Sequence, residues 1–260
     1  MTALAESLQE IFERQQAAQQ ADPYPDLATR RRRLAALETL VADNLERIAQ
    51  AINEDFGRRP ERETRLLEGF PTLAAIRNAK RYVKKWMRPQ RRLASRWLLP
   101  GRSLLLPQPL GVVGIVSPWN YPMSLSLSPL AAALAAGNRA MLKLSEVTPR
   151  TSAELAALVA KYFRDDEVAA VQGDAAAGAA FSRLPFGHLL FTGVGRVGRE
   201  VMRAAADKQI AEGLLERWDE FVAAALHEAN EWHRATRLTF RWLIRRNGPW
   251  RSLCEKAKAG

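Results

Sequence analysis

Gly111-Val-Val-Gly-Ile-Val116 and, after an Ala/Leu-rich segment, Arg139-Ala-Met-Leu-Lys-Leu144 are two apolar runs of strand length, and they decide the fold class. Two more such runs follow at 168–172 and 188–192. Between and after them lie segments of helical length at 122–135, 149–163, 174–183 and 196–207. Strand and helix alternating at this spacing predict right-handed βαβ units, hence an α/β fold with a parallel sheet and helices on both faces.

Upstream the texture is helical. Residues 2–20 and 26–55 read as helices, and Leu34, Leu37, Leu40, Val41 and Leu45 recur at three- and four-residue spacing in the second. Asp26 after Pro25 suits an N-cap, and Gly57 suits the stop. A third helix is expected over about 61–87, with Leu66, Leu67, Phe70, Leu73, Ile76, Tyr82 and Val83 on its apolar side, until Pro89 breaks it. Residues 88–102 read as a basic connector containing Trp97, Leu98 and Leu99. Ser103–Pro107 and Gly111–Val116, joined by Gln108-Pro109-Leu110, read as a hairpin. Past Lys208 no strand candidate occurs, and two amphipathic helices are expected at about 209–232 and 234–246. The divisions are thus 1–97, 98–116, 117–208 and a basic helical tail, 209–260.

The 260 residues are 47% hydrophobic, as in a globular chain with a core. No apolar run reaches the roughly 18–20 residues that span a bilayer, so no membrane partner is expected. The start, Met1-Thr-Ala-Leu-Ala-Glu6, does not read as a secretory leader. A single cysteine, Cys254, excludes an internal disulfide and suits a cytoplasmic location. The net charge of +11 is clustered: ten Lys/Arg and no Asp/Glu from Arg77 to Arg102, Arg30 to Arg33, and eight basic residues after His233 against Glu255. Solvated helix faces account for these runs, and non-specific phosphate contact is the most that charge supports for a nucleic-acid partner. His227 and His233 are six apart, off the spacing of helical metal ligands, so no metal site is expected.

Three strings carry chemistry. Ser117-Pro118-Trp119-Asn120-Tyr121-Pro122 presents a neutral amide, Asn120, on a loop stiffened by two prolines; the alternative use of Asn120 is to cap the helix starting near Pro122. Lys143 and Glu146 stand just past a strand, where a sugar diol could lie between ammonium and carboxylate. Phe191-Thr-Gly193-Val194-Gly195-Arg-Val-Gly198 follows a strand and opens a helix, whose first N–H groups can face a pyrophosphate. It also fits Gly-x-Gly-x-x-Gly, but at the fourth strand, not the first.

Together these strings resemble the aldehyde dehydrogenase superfamily, over roughly residues 5–208. The resemblance implies an incomplete Rossmann-like fold with N-terminal helices and a β-hairpin oligomerisation arm, and oxidation of an aldehyde with NAD. It makes Asn120 the oxyanion donor. It assigns Ser117, Pro118, Trp119, Lys143, Glu146, Gly173, Gly193, Val194 and Gly198 to the cofactor. Glu146 leans toward NAD over NADP, because a carboxylate repels a 2′-phosphate. Val194 departs from the family's Phe-x-Gly-Ser-x-x-x-Gly turn, which puts binding strength in question and makes weak binding the expectation. The Asp55-Phe-Gly-Arg-Arg59 segment with Glu63-Thr64, and the run Lys84–Arg92, look most like the coniferyl-aldehyde dehydrogenase branch, on helices outside the chemistry. The family's cysteine nucleophile and its Glu-Leu-Gly-Gly carboxylate have no counterpart, and Cys254 lacks the family's surroundings. The expectation is an incomplete enzyme whose tail is of truncated or frame-shifted origin. Its rivals are a module that binds dinucleotide or docks on full-length relatives through the 103–116 hairpin, and a basic nucleic-acid-binding protein.

Overall fold

Asp26 accepts a 2.7 Å hydrogen bond from the Thr29 amide and starts the second helix; Gly57, at φ 72°, ends it. A computed structural model describes residues 3–92 and 101–211. By contact the chain divides into Met1–Lys208 and Gln209–Gly260. The second unit, apart from the end of the last helix, lies outside the described residues, as do Trp97, Leu98, Leu99, His227, His233 and Cys254.

Helix α1 is Ala3–Ala21 and α2 is Leu27–Phe56. Leu34, Leu37, Leu40, Val41, Ile48 and Ile52 of α2 are buried. So are Arg30 and Arg33, which corrects the expectation of a solvated basic run. Arg30, Arg33, Leu34 and Leu37 share one helical face by spacing. Arg30 therefore turns inward and donates to the carbonyls of Pro25 and Ala135. At Gly57 an added Cβ would meet nothing within 4 Å. Gly57→Ala thus isolates the cost of a left-handed backbone, about 1 kcal/mol, readable by urea denaturation, with Gly57→Asn costing less.

The third helix is not regular. It runs as α3, Glu61–Thr64, a π-turn at Arg65–Gly69, and α4, Phe70–Trp86. The Phe70 amide bonds back to the Arg65 carbonyl. Pro71 has no N–H for the Leu67 carbonyl, and its ring crowds that carbonyl in α register; the wider turn relieves both. The extra residue rotates what precedes it. Leu66, Leu67 and Phe70, expected on the core side, are exposed, while Thr64 and Glu68 are fully buried.

The antiparallel ribbon also differs from expectation. β1, Gln90–Arg92, pairs with β2, Ser103–Leu105, with Arg91 opposite Leu104. The expected partner of 103–107 instead becomes β3, Val112–Val116, in the main sheet. The strand paired with Ser103–Leu105 therefore lies at Gln90–Arg92, inside the stretch read as a connector, and 103–116 is not a hairpin.

After β3 the chain follows the expected alternation: α5 Pro122–Ala136, β4 Arg139–Lys143, α6 Pro149–Tyr162, β5 Val168–Val171, α7 Ala175–Ser182, β6 His188–Phe191 and α8 Gly195–Ala211. The four parallel strands lie in the order β5-β4-β3-β6. Alternate residues serve two cores. Val113, Ile115, Ala140, Leu142 and Val168 join α2, α4, α5 and α6 on one face. Val112, Met141, Ala169 and Val171 join Leu8 and Phe12 of α1 and Phe181 of α7 on the other. This is an α/β fold with N-terminal helices and an incomplete Rossmann-like parallel sheet. Because β6 returns to the far side of β3, strand order reverses between them. In such sheets, ligands sit beyond the carboxyl ends of the strands at the reversal.

Candidate functional site

The strings singled out by sequence all follow carboxyl ends of strands: 117–121 after β3, 144–146 after β4, Gly173 after β5 and 192–195 after β6. Thr192 N donates to Val116 O at 3.1 Å, and Ser117 N to Lys143 O at 3.1 Å, so three of these loops begin in register.

Ser117 is turned inward: its hydroxyl lies 3.3 Å from Lys143 O and 2.7 Å from Ser126 Oγ. Trp119 and Asn120 are exposed. Trp119 leans on Phe56, ring centroids 5.9 Å apart. The carboxamide of Asn120 has no hydrogen-bond partner among the described residues, and it does not cap α5. That role falls to Glu68, a residue the sequence did not single out. Its Oε2 accepts from Met123 N at 2.9 Å and Ser124 N at 3.0 Å. Its Oε1 is 3.1 Å from Arg59 Nη1. The same nitrogen donates to the Asn120 carbonyl at 2.9 Å. The Arg59 guanidinium lies between the rings of Phe56 and Tyr121, 5.2 and 4.9 Å from their centroids. Burial pushes the Glu68 carboxyl above the usual range, and the amides and Arg59 only partly oppose it. Local signals for this arrangement are slight: only Pro71 within an otherwise helical run hints at the irregular turn that buries Glu68.

The Asp55–Arg59 segment, read as lying outside the chemistry, carries the loop from below. Asp55 accepts from Arg150 N at 3.1 Å and Thr151 N at 2.8 Å, starting α6; Phe56 meets Trp119, and Arg59 meets Asn120. A hollow of about 330 Å³ opens here, lined by Phe56, Arg58, Arg59, Pro60, Glu63, Asn120 and Tyr121.

Lys143 and Glu146 do meet, 3.4 Å apart, but unequally. The ammonium is buried and also donates to Leu144 O at 2.7 Å, while the carboxylate is half exposed. A diol would reach Glu146 first. Gly173 has φ 138°, a left-handed position that favours glycine. At the β6 turn, an added Cβ on Gly193 would stand 2.6 Å from the Phe191 ring, and one on Gly198 3.2 Å, so that ring alone explains both glycines. Gly195 has open space instead, and Val194 is exposed. Gly198 N bonds to Val194 O, which leaves the amides of 195–197 as the unpaired start of α8.

The sequence profile of the aldehyde dehydrogenase family matches residues 2–217. The chain is 48% identical over 200 residues to the "Probable coniferyl aldehyde dehydrogenase" of Pseudomonas aeruginosa, covering 77% of this chain and 42% of that protein. It is 44% identical over 207 residues to the coniferyl aldehyde dehydrogenase of Pseudomonas sp. strain HR199, covering 79% and 42%. Among solved structures, the substrate-bound state of Staphylococcus aureus AldH superimposes with a TM-score of 0.74 at 28% identity, covering 77% of this chain and 44% of that one. The fold is thus an incomplete Rossmann-like α/β domain, and the chain belongs to the aldehyde dehydrogenase family. It spans less than half the length of these relatives.

Proposed function

We propose that this chain forms the cofactor side of an NAD-dependent aldehyde dehydrogenase of coniferyl-aldehyde type and does not turn over by itself. The observation that carries the reading is spatial: four loops with family motifs converge at the carboxyl ends of the strands, beside the strand-order reversal. The residues present fit a dinucleotide. Glu146 offers an exposed carboxylate to a ribose, the unpaired amides opening α8 can receive a pyrophosphate, and Gly195 leaves room for close approach. Bound NAD would supply the hydride acceptor. Asn120 would donate to the oxygen that becomes negative when an aldehyde carbonyl is attacked, a contribution of about 10²–10³ in rate. The attacking thiolate and the base must come from elsewhere, because Cys254 lies beyond the family match and no Glu-Leu-Gly-Gly string is present.

Two outcomes are expected. The purified chain reduces no NAD with coniferyl or other aldehydes; turnover abolished by Cys254→Ala would overturn this. NAD binds weakly, with Kd about 0.1–10 mM, since Val194 removes a hydroxyl contact and each ~1.4 kcal/mol lost weakens binding tenfold. Glu146→Ala weakens it further in ligand-observed NMR, and a micromolar constant insensitive to that change would show the ribose assignment to be wrong.

A second reading, docking on a full-length relative, is favoured by the β1–β2 ribbon, where Leu104, Leu105 and Leu106 are exposed. Contiguous exposed leucines along and just after an edge strand suit a subunit contact. Co-purification with such a relative, lost on Leu104→Lys, is its test.

A further inference from the structure

We infer that Arg59 and Glu68 are positioning residues for Asn120: together they hold the 118–122 loop in the conformation from which the Asn120 amide projects. The inference rests on the reading of Asn120 as oxyanion donor; it adds Glu68, which lies in none of the family strings, and gives Arg59, read as outside the chemistry, a role toward it.

Both side chains are buried, and Arg59 makes its polar contacts to the loop and to Glu68 through one nitrogen, Nη1. Glu68 is fully buried and grips the first two free amides of α5, immediately after the loop. Arg59 takes the other Glu68 oxygen and the Asn120 carbonyl with one nitrogen. Phe56 and Tyr121 cover the guanidinium faces, and Glu63 Oε1 lies 3.5 Å from Arg59 Nε. The main chain is thereby fixed at the Asn120 carbonyl and again at the first amides after the loop, while the Asn120 carboxamide is left free. An amide donor stabilises a developing charge only if its direction is set beforehand, because reorienting it during the reaction spends the gain. Buried charge of this kind contributes little net stability compared with a packed apolar pair. The π-turn supports the same conclusion: such turns are rare single bulges, frequent at functional sites, and this one brings Glu68 inward while leaving three large apolar residues in water. With its bare face in water, that turn is better explained by Glu68 than by packing.

The test is backbone order in the full chain by ¹⁵N relaxation. In the wild type, Trp119, Asn120 and Tyr121 should show order parameters of about 0.85, as in the helices. Glu68→Gln, nearly isosteric but unable to pair with Arg59, and Arg59→Ala should lower them below about 0.6. Millimolar guanidinium ion should restore Arg59→Ala. Breaking the distant Arg33–Glu167 pair with Arg33→Ala should lower Tm and leave the loop ordered. A mobile loop in the wild type overturns the inference without any variant, and so does unchanged order in Glu68→Gln. Because the readout involves neither cofactor nor aldehyde, failure of the dehydrogenase reading would show in NAD binding and leave this result standing.

Discussion

Glu167→Ala is expected to lower the unfolding free energy of the chain by about 3–5 kcal/mol. The Glu167 carboxylate accepts from Arg33 Nε at 3.0 Å, with both side chains no more than 4% exposed. Arg32 reaches the same oxygen from the surface side at 2.5 Å. Removing the carboxylate leaves the Arg33 guanidinium buried, with one nitrogen, Nη1, already lacking a partner. A stranded interior charge is what makes such truncations costly, since the pair itself adds little over an apolar replacement. The double variant Arg33→Met/Glu167→Leu should accordingly recover most of the loss. Equilibrium denaturation in urea decides it: a loss below about 1 kcal/mol for Glu167→Ala would mean that the guanidinium finds water, and the buried assignment would be wrong.

The same carboxylate sets an acid limb. Burial alone would raise Glu167, but the hydrogen bonds from Arg32 and Arg33 outweigh it and hold the group below the ordinary range. Asp166, bonded to Arg164, and Glu38, bonded to Arg77 and Lys80, are lowered too. A carboxyl lowered by folding stabilises the fold above its unfolded pKa and loses that contribution as pH falls through the folded value. Glu68 is raised by burial and has the opposite sign: its contribution is present below the unfolded value and is lost as pH rises through the folded one. Stability should therefore gain slightly on acidification through weakly acidic pH, as Glu68 takes a proton, and fall below about pH 4. Glu167→Gln should flatten only the acid limb of a Tm–pH profile.

What could be read in advance divides by the range of the interaction. The Asp26 cap, the Gly57 stop and every strand of the parallel sheet were legible because each is written in a few neighbouring residues. The same holds for the family strings around Asn120, Lys143 and Gly193. The residues that support those strings were not legible. Glu68 meets Met123 across 55 positions and Arg33 meets Glu167 across 134, and no periodicity records such pairs. A run such as Arg30–Arg33 looks solvated when counted as charge. It becomes half internal once the Leu34 and Leu37 face is followed back one turn. The pairing of Gln90–Arg92 with Ser103–Leu105 was missed for a related reason. The first of these strands is polar and shows no apolar alternation, while the leucines at 104–106 had an apolar but mistaken partner in Gly111–Val116.

Gly187→Ala makes the same point at a single carbon. Nothing in the Pro185-Phe-Gly-His188 string marks this glycine as special, yet a Cβ there would stand 2.0 Å from the Leu110 carbonyl oxygen and 2.9 Å from its carbon. Backbone atoms cannot rotate away as a side-chain tip can. This carbonyl is also pinned, because Leu110 N and Gly111 N both donate to Asn138 Oδ1, at 2.6 and 3.1 Å, and Gly111 O accepts from Arg139 N at 3.0 Å. On the other side Gly187 N donates to Val112 O at 3.0 Å, so the entry to β6 cannot retreat without losing its register against β3. A methyl group forced into that space should cost about 3 kcal/mol. It should also loosen β6 and, with it, the 193–198 turn assigned to the cofactor. Gly195→Ala is the control, since its added carbon meets nothing within 4 Å and stands at the first position of a helix. Urea denaturation together with amide exchange of Leu189 to Phe191 reads both effects. A Gly187→Ala chain as stable as wild type, with β6 amides equally protected, would show that the β3–β6 junction gives way freely, and would remove the rigid floor on which the proposed dinucleotide site depends.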